Sequence, residues 1–127
     1  MIILDNNILI EIERENRNVI DKLLQLGKLY PETPATTAPI YAEFLEGFLL
    51  IGEPQRAEEY VKNFQILSFD KESAQLFARI TIELVKKGQP IPLFDLMTAS
   101  IAIAHNATVV SFDRHFEKVP GLKLILF

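Results

Sequence analysis

Cysteine and tryptophan are both absent from this chain of 127 residues. Without cysteine there can be no disulfide, no thiol nucleophile and no thiolate metal site. The chain also lacks any uninterrupted apolar run near the roughly 18 residues of a membrane span. Its first residues lack the basic, apolar and small-residue pattern of a signal peptide. We therefore expect a soluble cytoplasmic protein that does not associate with membranes.

Basic residues are also scarce. Lysine and arginine number 13 against 17 aspartates and glutamates, which gives a formal charge of −4. This balance argues against a broad basic surface for nucleic acid, although bound cations could offset acidic charges at a local site. The length fits one domain that buries roughly two-thirds of its unfolded surface. No repeat, low-complexity segment or linker divides the chain, so we expect a single domain, 1–127.

Short apolar runs alternate with helical patterns along the whole chain. The apolar runs predict strands at residues 2–4, 35–37, 66–69 and 108–112. Apolar residues at helical spacing predict helices within residues 7–14, 18–28, 40–51, 54–64, 70–87 and 96–104. This alternation predicts an α/β fold, in which a mainly parallel central sheet of four to five strands is flanked by helices on both faces.

Four acidic residues occupy positions that such a fold would gather. Asp5 and Asp113 each follow a predicted strand, Glu43 falls in the first turn of a predicted helix, and Asp95 precedes another helix. The carboxyl ends of parallel strands open onto one sheet edge, where open α/β sheets bind ligands. Two carboxylates about 4 Å apart repel by roughly 4 kcal/mol at an effective dielectric constant near 20, so a cation or raised pKa values must relieve the repulsion. Oxygen ligands without cysteine favour Mg²⁺ or Mn²⁺ over zinc.

Each acid also has a purely structural interpretation. Asp5 and Asp95 could be helix N-caps, Asp113 could form a turn, and Glu43 could interact with a helix dipole. Asp70 also follows an apolar strand and opens a helix, and we interpret it as a cap alone. The joint placement of the other four favours a site. No His-x-x-x-His pair is present, so we expect no direct role for the two histidines.

Four segments together resemble one known family. They are ILDNNILI at 3–10, AEFLEG at 42–47, DLMTASIA at 95–102 and ATVVSFDRHF at 107–116, the last followed by PGL at 120–122. In order and spacing they resemble the PIN domain, and most closely the VapC-type toxins of prokaryotic toxin–antitoxin pairs. The resemblance covers the whole chain.

The resemblance implies a PIN-like fold with an acidic pocket that binds one or two Mg²⁺ or Mn²⁺ ions and cuts single-stranded RNA. It implies that the metal ligands and catalytic residues are Asp5, Glu43, Asp95 and Asp113. Asn7 and Ser111 match polar positions beside these acids, where side chains orient ligands or waters. Position 6 is usually threonine or serine in such relatives, whereas this chain has asparagine.

The resemblance also implies a VapB-like antitoxin as partner, with a tail that crosses helices near the site and a basic side chain that can enter the acidic pocket. It further implies a homodimer. The helices around Glu43 carry many aromatic residues. If Phe48 or Tyr60 is exposed, a protein-binding groove or a homodimer interface explains it best.

Three other functions are alternatives to this one. A phosphoacceptor domain with Asp70 as acceptor needs a pair of acids after the first strand, but Asn6 and Asn7 follow Asp5. It also needs a late lysine where this chain has Ser111 and its neighbours. A haloacid-dehalogenase-like phosphatase fails similarly, because it needs aspartate at position 7. The remaining alternative is a catalytically inactive PIN-fold protein that acts as a binding partner, and only Asn6 favours it.

Overall fold

The computed structural model describes residues 1–127 and contains five strands, six α-helices and one 3₁₀ helix. In chain order they are β1 (Ile2–Leu4), α1 (Asn6–Glu13), α2 (Arg17–Gly27), β2 (Ala35–Thr37), α3 (Ala38–Leu50), α4 (Pro54–Val61), β3 (Gln65–Leu67), α5 (Lys71–Lys86), α6 (Leu93–Ala104), β4 (Thr108–Ser111), η1 (Arg114–Lys118) and β5 (Lys123–Leu126). Every predicted strand and helix is present, with shifts of a few residues at the ends.

The five strands form one sheet in the order β3-β2-β1-β4-β5, and every neighbouring pair is parallel. The chain builds outward from β1 in one direction through β2 and β3, and then in the other direction through β4 and β5. Because parallel crossovers are right-handed, this reversal places helices on opposite faces of the sheet. The predicted α/β architecture is confirmed, and the reversal lies between β1 and β4.

The two central strands form the middle of the core. Ile3 pairs with Val109 in the β1–β4 ladder, and both side chains are fully buried. Strands covered on both faces are continuously apolar, which is why these runs were recognisable from sequence. No helix of the structure has the length and apolar character needed to cross a membrane.

Two strands differ from their predicted extents. The predicted strand at residues 66–69 is instead Gln65–Leu67, because its partner β2 ends at Thr37, opposite Leu67, where α3 begins. Beyond that point there is no partner backbone to accept or donate hydrogen bonds. Strand β5 had no position assigned from sequence. It pairs with β4 at the sheet edge, where its residues are only partly buried.

The start of helix α3 corrects the prediction for Glu43. The helix begins at Ala38, because the Thr37 hydroxyl accepts a hydrogen bond from the Ile40 N–H at 3.3 Å and Pro39 suits the first turn. Glu43 therefore lies in the second turn rather than the first, and the interpretation through the helix dipole is wrong. Its position is explained better by the site it faces.

The N-terminal caps separate the remaining acids. Oδ1 of Asp70 accepts the Ser73 N–H at 2.9 Å, so its predicted capping role is confirmed. Asp5 caps α1 by accepting the Asn6 N–H at 2.8 Å. Asp95, however, lies inside the first turn of α6, whose N-cap position is occupied by Pro92. The capping interpretation of Asp95 is wrong, so its side chain must be explained in another way.

Candidate active site

Asp5 lies at the point where the strand order reverses. Its backbone N–H donates to the Val110 carbonyl at 3.0 Å, which extends the β1–β4 ladder by one bond. Its side chain is 6% exposed, and its two oxygens have different partners. Oδ1 accepts from the Asn6 N–H, and Oδ2 accepts from the Ser111 hydroxyl at 2.6 Å. Asp5 is thus both a helix cap and part of the sheet edge where α/β folds bind ligands.

Ser111 connects three segments of this edge. Besides donating to Asp5, its Oγ accepts from Asn7 Nδ2 at 3.2 Å and from the Asp113 N–H at 2.9 Å. Asn7 also accepts the Phe112 N–H through Oδ1 at 3.3 Å. Of the two polar residues expected beside the acids, Ser111 therefore contacts Asp5 directly, and Asn7 contacts Ser111. They fix the ends of β1 and β4 relative to each other.

The tightest group of possible metal ligands combines Asp95, Asp113 and His115. One ligand atom from each of these side chains lies within 4.8 Å of the other two. Asp95 comes from the first turn of α6, and Asp113 immediately precedes η1. Asp5 and Glu43 lie outside this group, but their charges act on it. The structure thus brings the four predicted acids to one region, and ligand atoms of two of them, Asp95 and Asp113, lie within 4.8 Å of each other.

The pKa values of three of these acids are raised, first by burial and then by the charges of neighbouring acids. Burial, and then the charges of Asp5, Asp113 and Glu43, raise the pKa of Asp95 from 3.8 to about 7. Burial also raises the pKa of Glu43, with further contributions from the charges of Asp5 and Glu46. Burial raises the pKa of Asp5 as well, although the hydrogen bonds from Ser111 and Asn6 oppose it. All three acids are held in surroundings that disfavour their negative charge.

Asp113 behaves differently because of His115, a contact that the sequence did not reveal. Partial burial acts to raise the pKa of Asp113, but hydrogen bonds from the backbone and side chain of His115 outweigh it and lower the pKa. Nδ1 of His115 lies 2.6 Å from Oδ1 of Asp113. The only sequence signal for this contact is the spacing of two residues between Asp113 and His115 after a strand end, which is not the His-x-x-x-His pattern of a metal site.

The donor set suits a hard divalent cation. Its close members include two carboxylates, and no cysteine exists to compete for the ion. A cation placed among these acids would relieve the repulsion that contributes to the raised pKa of Asp95. The residues therefore fit a divalent metal site.

A groove of about 290 Å³ leads away from the site between α1 and α3. Its lining residues are Asn6, Ile10, Glu13, Arg14, Glu43, Phe44, Gly47, Phe48 and Ile51. Phe48 is buried, whereas Tyr60 is 37% exposed and packs near Phe44 and Phe48, with ring centroids 6.2 Å and 6.3 Å away. Tyr60 therefore meets the condition set for a protein-binding surface, and Phe48 does not.

Solved structures of toxin–antitoxin complexes share this fold. The chain superposes on VapBC2 of Rickettsia felis, solved bound to a DNA fragment from its promoter, with a TM-score of 0.86 and 27% identity. That match covers 100% of this chain and 99% of the other. The model of the PIN domain family matches residues 2–122. The chain belongs to the PIN domain family, which confirms the resemblance seen in the sequence.

Curated relatives carry names of nucleases. The tRNA(fMet)-specific endonuclease VapC of Salmonella typhimurium is 31% identical over 68 residues, 53% of this chain and 52% of that protein. Ribonuclease VapC5 of Mycobacterium tuberculosis is 29% identical over 99 residues, 73% of each chain. The aligned part of this chain thus spans about half the length of the Salmonella relative.

Proposed function

We propose that this chain, as a single PIN domain over 1–127, is a metal-dependent endoribonuclease that cuts single-stranded RNA in the cytoplasm. We further propose that it is the toxin of a VapBC-type pair. The observation that carries the proposal is the group of carboxylates at the sheet reversal of a PIN domain, where the pKa of Asp95 rises to about 7. Relatives named VapC are described as ribonucleases and endonucleases, which supports the same reaction class.

The residues that would hold Mg²⁺ or Mn²⁺ are Asp5, Glu43, Asp95 and Asp113. When bound at such a site, a divalent cation lowers the pKa of water and offsets the negative charge of a phosphodiester. The acids contribute the charge that attracts the cation, and Asp5 is the most deeply buried of them. We assign no protein nucleophile, because the chain lacks cysteine and Ser111 is already committed to Asp5.

Asn7 and Ser111 would orient the acids rather than contact RNA. The Ser111 hydroxyl donates to Asp5, and Asn7 donates to Ser111, so each hydrogen bond of this series has a defined donor. Arg114, which follows Asp113, is not assigned as a phosphate contact. It is 78% exposed and pairs with Glu117 at 3.0 Å, which favours a surface ion pair instead.

A VapB-like antitoxin would suit the groove between α1 and α3, and a second copy of the chain would form the homodimer. The groove offers the apolar side chains of Ile10, Phe44 and Phe48, while Glu43 lies at the end nearest the acids. An apolar protein segment with one basic side chain would therefore match both its surface and its charge. Similar folds solved as VapBC complexes support this partner.

The decisive experiment is cleavage of labelled single-stranded RNA by purified protein with Mg²⁺, with Mn²⁺ and with EDTA. Asp5→Asn and Asp95→Asn should abolish cleavage, since each removes a negative charge from the pocket. Asp70→Asn is the matched control, because Asp70 caps α5 away from the site and asparagine also caps helices well. Cleavage by wild type and by this control alone would establish the nuclease.

Equal cleavage by all variants would indicate a contaminating nuclease. If wild type is inert towards several RNAs under every metal condition, the inactive binding protein becomes the better account. Asn6 is the residue to examine in that case, because it lines the groove and its buried Oδ1 has no hydrogen-bond partner.

A further inference from the structure

His115 makes two contacts with a single oxygen of Asp113. Its backbone N–H donates to Oδ1 at 2.9 Å, and its ring Nδ1 lies 2.6 Å from the same atom. The other oxygen, Oδ2, makes no hydrogen bond or ion pair within the chain. Asp113 therefore has one oxygen committed to His115 and one left available for a ligand.

The short distance defines the state of the ring. Two lone pairs 2.6 Å apart would repel, so Nδ1 must carry a proton and donate it to the carboxylate. A protonated ring carries Nδ1–H in any case, and in a neutral ring this contact selects the Nδ1–H tautomer. The contact persists because η1 holds His115 in place, with its neighbour Phe116 fully buried in the core.

The backbone of Asp113 is fixed from the other side. Its N–H donates to Ser111 Oγ, which in turn donates to Asp5. With the backbone tied to Ser111 and Oδ1 tied to His115, little rotation of the Asp113 carboxylate is left. The hydrogen bonds from His115 also outweigh burial and lower the pKa of Asp113, whereas the pKa values of the other three acids are raised.

We propose that His115 is a positioning residue, which holds Asp113 through Oδ1 so that Oδ2 is presented to a divalent cation. The inference rests on the proposed function for the presence of that cation. A direct role for Nδ1 as a ligand does not fit the same geometry. While Nδ1 donates its proton to Oδ1, it has no lone pair to offer a cation.

The test is the affinity of purified protein for Mg²⁺ and for Mn²⁺, each measured by titration calorimetry without RNA. His115→Ala should weaken the binding of both ions by a similar factor, about 10- to 100-fold, because loss of a ligand's hydrogen-bond partner typically lowers metal affinity by this much. His115→Asn should recover part of the loss, because its amide N–H can replace Nδ1–H. His105→Ala is the matched control, since it removes the chain's other histidine at the end of α6.

Unchanged affinities in His115→Ala would overturn the proposal. A loss confined to Mn²⁺, with Mg²⁺ binding intact, would also overturn it, because imidazole prefers the softer ion and the result would identify a direct ligand.

A second measurement does not need any metal. In metal-free wild type at pH 8, nitrogen chemical shifts should identify His115 as the Nδ1–H tautomer, and Asp113→Asn should shift it towards Nε2–H. A wild-type Nε2–H tautomer would refute the positioning contact itself. If wild type binds neither ion yet shows Nδ1–H, the metal-dependent function fails while the His115 contact stands, so the two failures are distinguishable.

Discussion

Ser111 Oγ donates a hydrogen bond of 2.6 Å to Asp5 Oδ2, joining residues 106 positions apart in the sequence. Ser111 is fully buried and Asp5 is nearly so. Burial raises the pKa of Asp5, and this hydrogen bond is the largest influence that opposes the rise. One hydroxyl therefore helps to keep a buried carboxylate charged at the centre of the candidate site.

Ser111→Ala should lower the free energy of unfolding by about 2 kcal/mol, a value within the usual range for a hydrogen bond to a charged group. The loss should be measured by urea unfolding over a range of pH. It should become smaller as the pH falls and Asp5 is protonated, because a neutral carboxyl needs the donor less.

Ser73→Ala is the matched control for this prediction. Ser73 is as buried as Ser111, but its hydroxyl has no hydrogen-bond partner. Removing it should not lower stability, because alanine leaves no buried hydroxyl without a partner. Equal losses from the two variants would show that the Ser111–Asp5 bond contributes nothing beyond buried volume.

The sequence predicts this site well where a residue is tied to a strand end. Asp5 and Asp113 follow the two central strands, whose continuous apolar runs are recognisable because both faces are covered. The structure places Glu43 and Asp95 near the other two acids, but their predicted places within helices were wrong. Those errors arose because Thr37 and Pro39 start α3 early, and because α6 begins before Asp95.

Two other features depend on contacts that no local pattern encodes. Strand β5 is identified by pairing with β4, and its partly exposed edge position weakens the apolar signal. His115 gains its significance from the way η1 turns its ring towards Asp113. Fold class could therefore be predicted from alternation, whereas the orientation of one ring against one carboxylate could not.

The raised pKa of Asp95 predicts how stability depends on pH. In the unfolded chain this acid titrates near 3.8, but in the folded protein the pKa is about 7. Between these values the native state holds a proton that the unfolded state has lost, so stability falls as pH rises. Without metal, the melting temperature should decrease from pH 5 to pH 8, and this decrease should be smaller in Asp95→Asn.

At pH 8 Asp95→Asn should itself be more stable than metal-free wild type. Asp95 is only partly buried, so after allowance for solvent screening we expect a gain of about 1 kcal/mol, or about 4 °C. A variant that melts below wild type at pH 8, or an unchanged slope with pH, would show that burial and the neighbouring acids do not disfavour the charge of Asp95 in this way.

Divalent cations should reverse this effect. Millimolar Mg²⁺ or Mn²⁺ should raise the melting temperature of wild type at pH 8, because an ion that binds only the folded state stabilises it by mass action. The increase should be much smaller in Asp95→Asn. Asp70→Asn should respond as wild type does, since Asp70 caps a helix outside the site. If all three proteins respond alike, the cation binds elsewhere.

Replacing Gly47, which lines the groove, with alanine should stabilise the fold. It lies within α3, where glycine costs about 1 kcal/mol relative to alanine because it has more freedom to lose on folding. A Cβ at this position would meet no atom within 4 Å. Gly47→Ala should therefore raise the free energy of unfolding by up to about 1 kcal/mol, measured by urea unfolding.

Gly52→Ala is the matched control, because its Cβ would also meet nothing, yet its φ of +74° is strained for any side chain. That variant should lose about 1 kcal/mol, so the two substitutions should differ in sign. If Gly47→Ala also destabilises the metal-free chain, the backbone of α3 requires glycine for its own packing. If it stabilises as expected, the fold itself does not require glycine at position 47. The absence of a side chain there then matters only to the groove between α1 and α3, which Gly47 lines.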